Sequence, residues 1–277
     1  MGCSTLINGK PVSVIDISDR GLQYGDGVFE TIAVSHGQPE FLVRHLQRLQ
    51  AGCQALGIEC PQHHLLSDEI HMLCSQQHSG VVKIQITSGQ SARGYRRPGP
   101  LSPNRIITCQ ASPEHSQQLY TSGIKLRLCR QRLSINPALA GIKHLNRLEQ
   151  VIGRNEWNSA DIHEAVMLDT DGYVIEGTMS NLFFVANGCL KTALLDRAGV
   201  AGIIRSVVID QAKQAGVVVD IKRIKLNELL NADEVFMTNS VIGVWPVRQL
   251  ETRAYQVGPT ALQAQNWVTN ASDRFAT

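Results

Sequence analysis

Gly141-Ile142-Lys143-His144-Leu145-Asn146-Arg147-Leu148-Glu149-Gln150 is the stretch on which the reading of this chain turns. Before it, Ile124 to Leu128 alternates apolar and basic residues, the pattern of a half-buried strand. After it, Leu145, Leu148, Val151 and Ile152 recur at helical spacing with polar residues between them, which predicts a helix to about Asn158. Lys143 then falls at the mouth of that helix, with a rigid element on either side. Most lysines are solvated surface groups. What sets this one apart is the rest of the chain, which supplies the other groups that a lysine-bound aldehyde would need.

Composition narrows the field first. The 277 residues are 43% hydrophobic, enough for one large domain or two modest ones. A formal charge of +2 is too near neutral to make nucleic acid or an acidic membrane face the main partner, and 5% aromatics leave little for base stacking. The cysteines Cys3, Cys53, Cys60, Cys74, Cys109, Cys129 and Cys189 are scattered without a CxxC pair. They read as small buried hydrophobes in a reducing compartment rather than zinc or redox ligands. No basic segment followed by an apolar block opens the sequence, Leu6 breaks the myristoylation pattern, and no apolar run approaches membrane-spanning length. A cytoplasmic protein is the expectation.

Taken in order, Leu6 to Val12 reads as a hairpin around Asn8-Gly9. Asp19 to Thr31 places Gly21, Gly25 and Gly27 close together, a structural loop or a site of close backbone approach. It runs into a strand over Val28–Val34. Phe41–Leu56 reads as a helix that sets His45 and Arg48 one turn apart. Arg48 either snorkels to water or turns inward to grip a phosphate, which its fork suits. A second helix is expected over Ser67–Gln77, with His63, His64, His71 and His78 at the surface and no metal site. Val81–Thr87 alternates as a strand and leads into Arg93-Gly94-Tyr95-Arg96-Arg97-Pro98, a loop that is either solvated or a receiver of an anionic substrate. Another strand follows at Arg105–Thr108.

The composition turns polar over Ser112–Ser122, which marks a domain boundary. Ala165 to Glu176 is strand, Asp-Gly turn, strand, and it ends in a carboxylate, Glu176, followed by small polar residues. Leu195 to Arg205 leads through Gly199 and Gly202 into a helix, whose first N–H groups and dipole form an anion seat. Ala232 to Ser240 is a strand ending in hydroxyl and amide side chains, Val244–Val247 is strand or turn, and Pro259–Val268 closes as a helix. A lysine, a carboxylate, an arginine and a glycine-entered helix together match what pyridoxal phosphate requires. The aldehyde condenses with an amine, an acid partners the pyridine nitrogen, and N–H donors with a cation take the phosphate.

At nearly full length the chain resembles the fold-type IV pyridoxal-phosphate enzymes. The likeness rests on Asp19-Arg20-Gly21 with Tyr24 to Glu30, His45-Leu46-Gln47-Arg48-Leu49, Glu176 to Phe183, and Gly199 to Arg205. Within that group, Ala140 to Gln150 resembles the lyases acting on 4-amino-4-deoxychorismate, and Leu139-Ala140 and the Arg93-Gly94-Tyr95 loop fit them as well. The resemblance implies an α/β (α+β) chain with two domains of the D-amino-acid aminotransferase-like fold, the smaller over 1–117 and the larger over 123–277. It also implies the cofactor in the interdomain cleft and a homodimer. Pyridoxal 5'-phosphate is the implied cofactor, with Lys143 as Schiff-base lysine and catalytic residue and Glu176 as pyridine partner. Arg48, the N–H groups of Ile203 and Ile204, and Ser240 beside Asn239 would hold the phosphate end. The implied reaction turns 4-amino-4-deoxychorismate into 4-aminobenzoate and pyruvate, a step toward folate. Arg93 or Arg105, with Tyr95 and Asn239 as lesser candidates, would bind the substrate's two carboxylates. Gly177-Thr178-Met179-Ser180 departs from the smaller residues often seen after the glutamate, which leaves the pocket wall there open. The alternatives are a branched-chain or D-amino acid aminotransferase of the same fold, and a non-catalytic homologue, against which the intact Lys143 and Glu176 argue.

Overall fold

The computed structural model describes residues 5–75 and 77–273. Two compact units divide the chain after Pro113, within the polar Ser112–Ser122 stretch. The first unit also takes in Lys143–Asn146, and the second comprises Glu114–Ile142 and the chain from Arg147 onward.

In the first unit the elements run β1 (Thr5–Ile7), α1 (Arg20–Tyr24), β2 (Gly27–Ser35), β3 (Gln38–Pro39), α2 (Leu42–Ala55), α3 (His63–Cys74), β4 (Ser79–Thr87) and β5 (Asn104–Gln110). The strands form an antiparallel five-stranded sheet in the order β1-β5-β4-β2-β3. Strand periodicity sets its two faces: Val28, Ile32 and Val34 of β2 and Val82, Ile84 and Ile86 of β4 are buried. Leu46, Leu49 and Cys53 of α2 and Leu66, Ile70 and Leu73 of α3 are buried as well. Each such aliphatic side chain contributes roughly 1.5–3 kcal/mol by leaving water.

Three expectations shift here. The Asn8-Gly9 turn forms with positive φ at both residues, but its far side is only an isolated Ile7–Lys10 bridge. Pro11 follows and offers no N–H with which to extend the ladder. The second helix begins at His63 and ends at Cys74, earlier than the Ser67–Gln77 span. The glycine-rich stretch proves to be a fastener. Asp19 caps α1 by accepting from the N–H groups of Gly21 and Leu22, and Gly25 ends it in the left-handed conformation at φ 65°.

The second unit contains α4 (Gln118–Thr121), β6 (Ile124–Leu133), α5 (Leu148–Arg154), β7 (Ile162–Asp169), β8 (Tyr173–Gly177), β9 (Asn181–Ala186), β10 (Cys189–Ala193) and α6 (Ile203–Gln214). It continues with β11 (Val219–Lys222), β12 (Ile224–Lys225), α7 (Leu226–Leu230), β13 (Glu234–Asn239), β14 (Gly243–Leu250), β15 (Arg253–Ala254) and α8 (Pro259–Asp273). A ten-stranded mixed sheet runs β11-β10-β9-β13-β14-β6-β7-β8-β12, with β15 paired to β14. The β14–β6, β6–β7 and β10–β11 pairs are parallel. Its core includes Phe184, Trp245, Met237, Val247 and Ile124. Phe183 stacks on Phe236 across β9 and β13 at a centroid distance of 5.1 Å.

The second unit also carries a helix cap that the sequence did not reveal. Glu234 on β13 accepts from the N–H of Thr260 at 3.0 Å, its hydroxyl at 3.0 Å, and the N–H of Ala261 at 3.1 Å. A carboxylate there meets the unpaired amides and the positive end of the α8 dipole. Glu234→Gln is expected to cost about 1–2 kcal/mol, the upper range for a lost cap. Urea unfolding should show a lower midpoint with an unchanged slope.

The lysine segment departs most from expectation. Helix α5 starts only at Leu148 and spans seven residues. Lys143 and its neighbours are extended and pair with the edge of β2. Phe29 N–H donates to Lys143 O at 2.9 Å, Leu145 N–H donates to Gly27 O at 2.9 Å, and Val28 bridges His144. The backbone groups of β2 at this edge need partners, and the strand-like segment satisfies them. Leu148, Val151 and Ile152, which recur at helical spacing, are 74%, 50% and 52% exposed.

Candidate active site

In the first unit, two side chains close on a buried carboxylate. Glu30 lies on the core face of β2 at 1% exposure, and α2 brings His45 and Arg48 to it from successive turns. Arg48 donates Nε–H to Glu30 Oε1 at 2.8 Å and Nη2–H to Oε2 at 2.5 Å. His45 Nδ1 lies 2.6 Å from Oε2. Burial by itself would raise the Glu30 carboxyl, but the charge and hydrogen bonds of Arg48, with help from His45, hold it down at about 2. His45 is pushed below its ordinary value by burial first, with the Arg48 and Lys143 charges adding to this against the pull of Glu30. A neutral His45 therefore donates Nδ1–H to the carboxylate. The Lys143 ammonium sits 4.2 Å from the centroid of the Phe29 ring, next to Glu30 in the chain. The spacing of His45 and Arg48 thus does turn Arg48 inward, and one edge of its fork grips Glu30.

The loop after β4 is organised by Arg20 and Arg97. Arg20 reaches Asp26, the Ser91 hydroxyl and the carbonyls of Gly94 and Tyr95. Arg97 pairs with Asp26 and donates to the carbonyls of Leu56 and Gly57. Asp26 ends at about 2, because these arginine contacts outweigh its desolvation. Arg93 and Tyr95 are left exposed on this braced loop, with Tyr95 edge-on to Tyr24. Arg105 is held elsewhere, since its Nε and Nη2 both donate to Glu69, at 2.8 and 2.7 Å.

In the second unit, Glu176 is the penultimate residue of β8, at 5% exposure. Its Oε2 accepts from Val200 N–H at 2.8 Å and Asn181 Nδ2 at 3.2 Å. Burial depresses Arg147 and Arg205, and the Glu176 charge opposes that shift in both, so two guanidinium groups feel this carboxylate. Gly202 is the N-cap of α6 and offers no side-chain cap to the first-turn amides of Ile203 and Ile204. At the end of β13, Asn239 donates to Met179 O and accepts from the N–H groups of Val241 and Ile242. Thr238 Oγ1, just before Asn239 and Ser240, is buried and has no hydrogen-bond partner among the described residues.

Glu164 went unnoticed in the sequence and holds the turn after Glu176. Fully buried on β7, it accepts from the N–H groups of Ala165, Thr178 and Met179 and from the hydroxyls of Thr178 and Ser180. This clamp orders the Thr178–Ser180 segment that the sequence left open. The only hint was a charged residue inside an apolar strand.

The chemistry of these groups fits a bound pyridoxal phosphate. A buried carboxylate suits a protonated pyridine nitrogen, and the uncapped start of α6 suits a phosphate. The orphaned Thr238 hydroxyl is a further donor beside Asn239 and Ser240. Lys143 and Arg48 of the first unit have the chemistry, an amine and a guanidinium, that such a cofactor also calls for. Residues 27–250 match the family model described as amino-transferase class IV, and the chain belongs to that family. It is 37% identical to an aminodeoxychorismate lyase of Vibrio harveyi, over 87% of this chain and 89% of the relative. A solved 4-amino-4-deoxychorismate lyase of Pseudomonas aeruginosa is 41% identical with a TM-score of 0.92, covering 96% of this chain and 98% of that one. A T.th. branched-chain amino acid aminotransferase, solved with pyridoxamine 5'-phosphate, is 25% identical with a TM-score of 0.86. That match covers 98% of this chain and 94% of the aminotransferase.

Proposed function

We propose that this protein is a pyridoxal-phosphate-dependent lyase that converts 4-amino-4-deoxychorismate to 4-aminobenzoate and pyruvate, a step in making folate. The observation that carries this reading is the likeness, over nearly the full length, to the Pseudomonas aeruginosa lyase. Once bound, the cofactor supplies an electron sink conjugated to the substrate nitrogen. Lys143 anchors the cofactor aldehyde between turnovers. With substrate in place, its amine takes the proton from the ring carbon that bears nitrogen. The bond from the adjacent carbon to the enolpyruvyl oxygen then breaks, the ring becomes aromatic, and Lys143 returns a proton to the departing fragment. Glu176 keeps the pyridine nitrogen protonated. The outer edge of Arg48, the N–H groups of Ile203 and Ile204, and Ser240 with Asn239 hold the phosphate. Arg93 or Arg105, with Tyr95 and Asn239 as lesser candidates, takes the substrate carboxylates; Arg93 and Tyr95 are exposed, whereas Arg105 also pairs with Glu69.

The reading places the work in the cytoplasm, where the buried thiols Cys53, Cys74, Cys109 and Cys129 stay reduced. Among the described residues no helix is long and apolar enough to cross a membrane. It also makes the protein a homodimer, with Leu148, Val151 and Ile152 of α5 as apolar surface for a second copy to cover.

Purified protein given 4-amino-4-deoxychorismate should release pyruvate at the same rate with and without an added keto acid. A requirement for the keto acid would instead mark an aminotransferase and overturn the lyase assignment.

A further inference from the structure

We propose that Asn181 is a positioning residue that ties the Glu176 carboxylate to the turn entering α6, fixing the spacing between the groups assigned to the two ends of the cofactor. The inference rests on the cofactor reading above but concerns a residue to which that reading gives no role. Asn181 opens β9 at 5% exposure. One nitrogen, Nδ2, donates to Glu176 Oε2 at 3.2 Å and to Val200 O at 2.8 Å. Val200 N–H donates back to the same Glu176 oxygen at 2.8 Å. The three groups thus close a ring of hydrogen bonds in which a single amide bridges the strand-end carboxylate and the turn.

The other edge of the amide sets the same spacing by shape. A Cβ on Gly202, the α6 N-cap, would lie 1.9 Å from Asn181 Oδ1. The helix start therefore rests directly on the asparagine, and only glycine lets it come so close. Gly199, at φ 86°, makes the matching approach on the carboxylate side, where its Cβ would stand 3.2 Å from Glu176 Oε2. Arg147 and Arg205 are charged groups that also act on Glu176. Arg147 also donates to Ile142 O, and Arg205 to Ala193 O and the Thr192 hydroxyl.

An amide meets both demands, since two protons on one nitrogen serve two acceptors and the oxygen edge stays uncharged. An aspartate keeps the shape but cannot donate, and it sets a second carboxylate beside Glu176, where one of the two must hold a proton. An alanine removes both bonds.

The test uses purified holoenzyme, measuring cofactor dissociation after dilution and the visible absorbance of the bound cofactor across pH. Asn181→Ala should weaken cofactor binding on the order of tenfold or more, the scale of a lost hydrogen bond to a charged group. Asn181→Asp should displace the pH profile of the visible band, an effect that loosened packing alone does not produce. Gly202→Ala should mimic Asn181→Ala by pushing the amide aside, and the double variant should bind no worse than either single one. Wild-type affinity and an unmoved pH profile in both Asn181 variants overturn the inference while leaving the cofactor reading intact. A wild-type protein with no visible band that borohydride removes overturns the cofactor reading, and this inference with it. If Asn181→Ala does not fold, the isosteric aspartate variant and Gly202→Ala still decide the matter.

Discussion

Lys143→Ala is expected to lower pyruvate release by roughly 10⁴-fold or more, the upper end of what a positioned proton carrier contributes. The visible band that borohydride removes should vanish with it. The backbone explains why this is a clean experiment. Lys143 is held through its carbonyl, which accepts from Phe29 N–H, and through the neighbouring Leu145 N–H, which donates to Gly27 O. Neither bond involves the side chain, so truncation leaves the segment paired to β2. The lost contact with Phe29 accounts for about 0.5–1 kcal/mol of the cost in stability. Lys143→Arg should be as inactive as alanine, because a guanidinium that never loses its charge can neither condense with an aldehyde nor accept a proton. Added primary amines should restore part of the turnover to the alanine variant and none to a misfolded protein. Retention of the band in Lys143→Ala would show that another amine carries the cofactor.

How much of this was legible in the sequence depended on whether the signal was local. The β4 strand announced itself, because Val82, Ile84 and Ile86 alternate and all face one core. The Ala165–Glu176 hairpin was equally plain. Asp169 accepts from the N–H groups of Asp171 and Tyr173, and Gly172 takes φ 81°, the turn that an Asp-Gly pair encodes. The surroundings of Lys143 were misread because their determinant is remote. Helical spacing in Leu145, Leu148, Val151 and Ile152 suggested one helix, but Leu145 is claimed by the edge of β2. Periodicity reports a pattern and cannot name the element that competes for it. The site residues divided in the same way. His45 and Arg48 were visible as a pair on one helix face. Their acceptor Glu30, on a strand 15 and 18 residues earlier, was not singled out. Glu164 matters through Thr178 and Ser180, and Asn181 through its bridge from Glu176 to Val200, relations that spacing does not disclose.

Arg48→Ala should destabilise the cofactor-free protein by about 3–5 kcal/mol, the penalty for leaving a buried carboxylate without its cation. Glu30 is 1% exposed, and with Arg48 gone only the neutral His45 remains to donate to it among the hydrogen bonds described above. The cost arises from the stranded charge, so Glu30→Gln in the same background should recover part of it, and the two changes should be strongly non-additive. Acid gives an independent check. The Glu30 carboxyl is depressed from 4.5 to about 2, so the folded state holds its proton less readily than the unfolded chain. Its contribution, on the order of 3 kcal/mol by linkage, is fully present above about pH 4.5 and is lost as pH falls toward 2. His45 acts in the same direction, beginning nearer pH 6.5, because its lowered value disfavours protonation in the folded state. Wild-type unfolding free energy should therefore fall on acidification more steeply than that of Arg48→Ala, with the two curves converging at low pH. Parallel curves would mean that Arg48 does not hold Glu30 ionised. The helix face that presents Arg48 to a phosphate would then need some other support than this buried carboxylate.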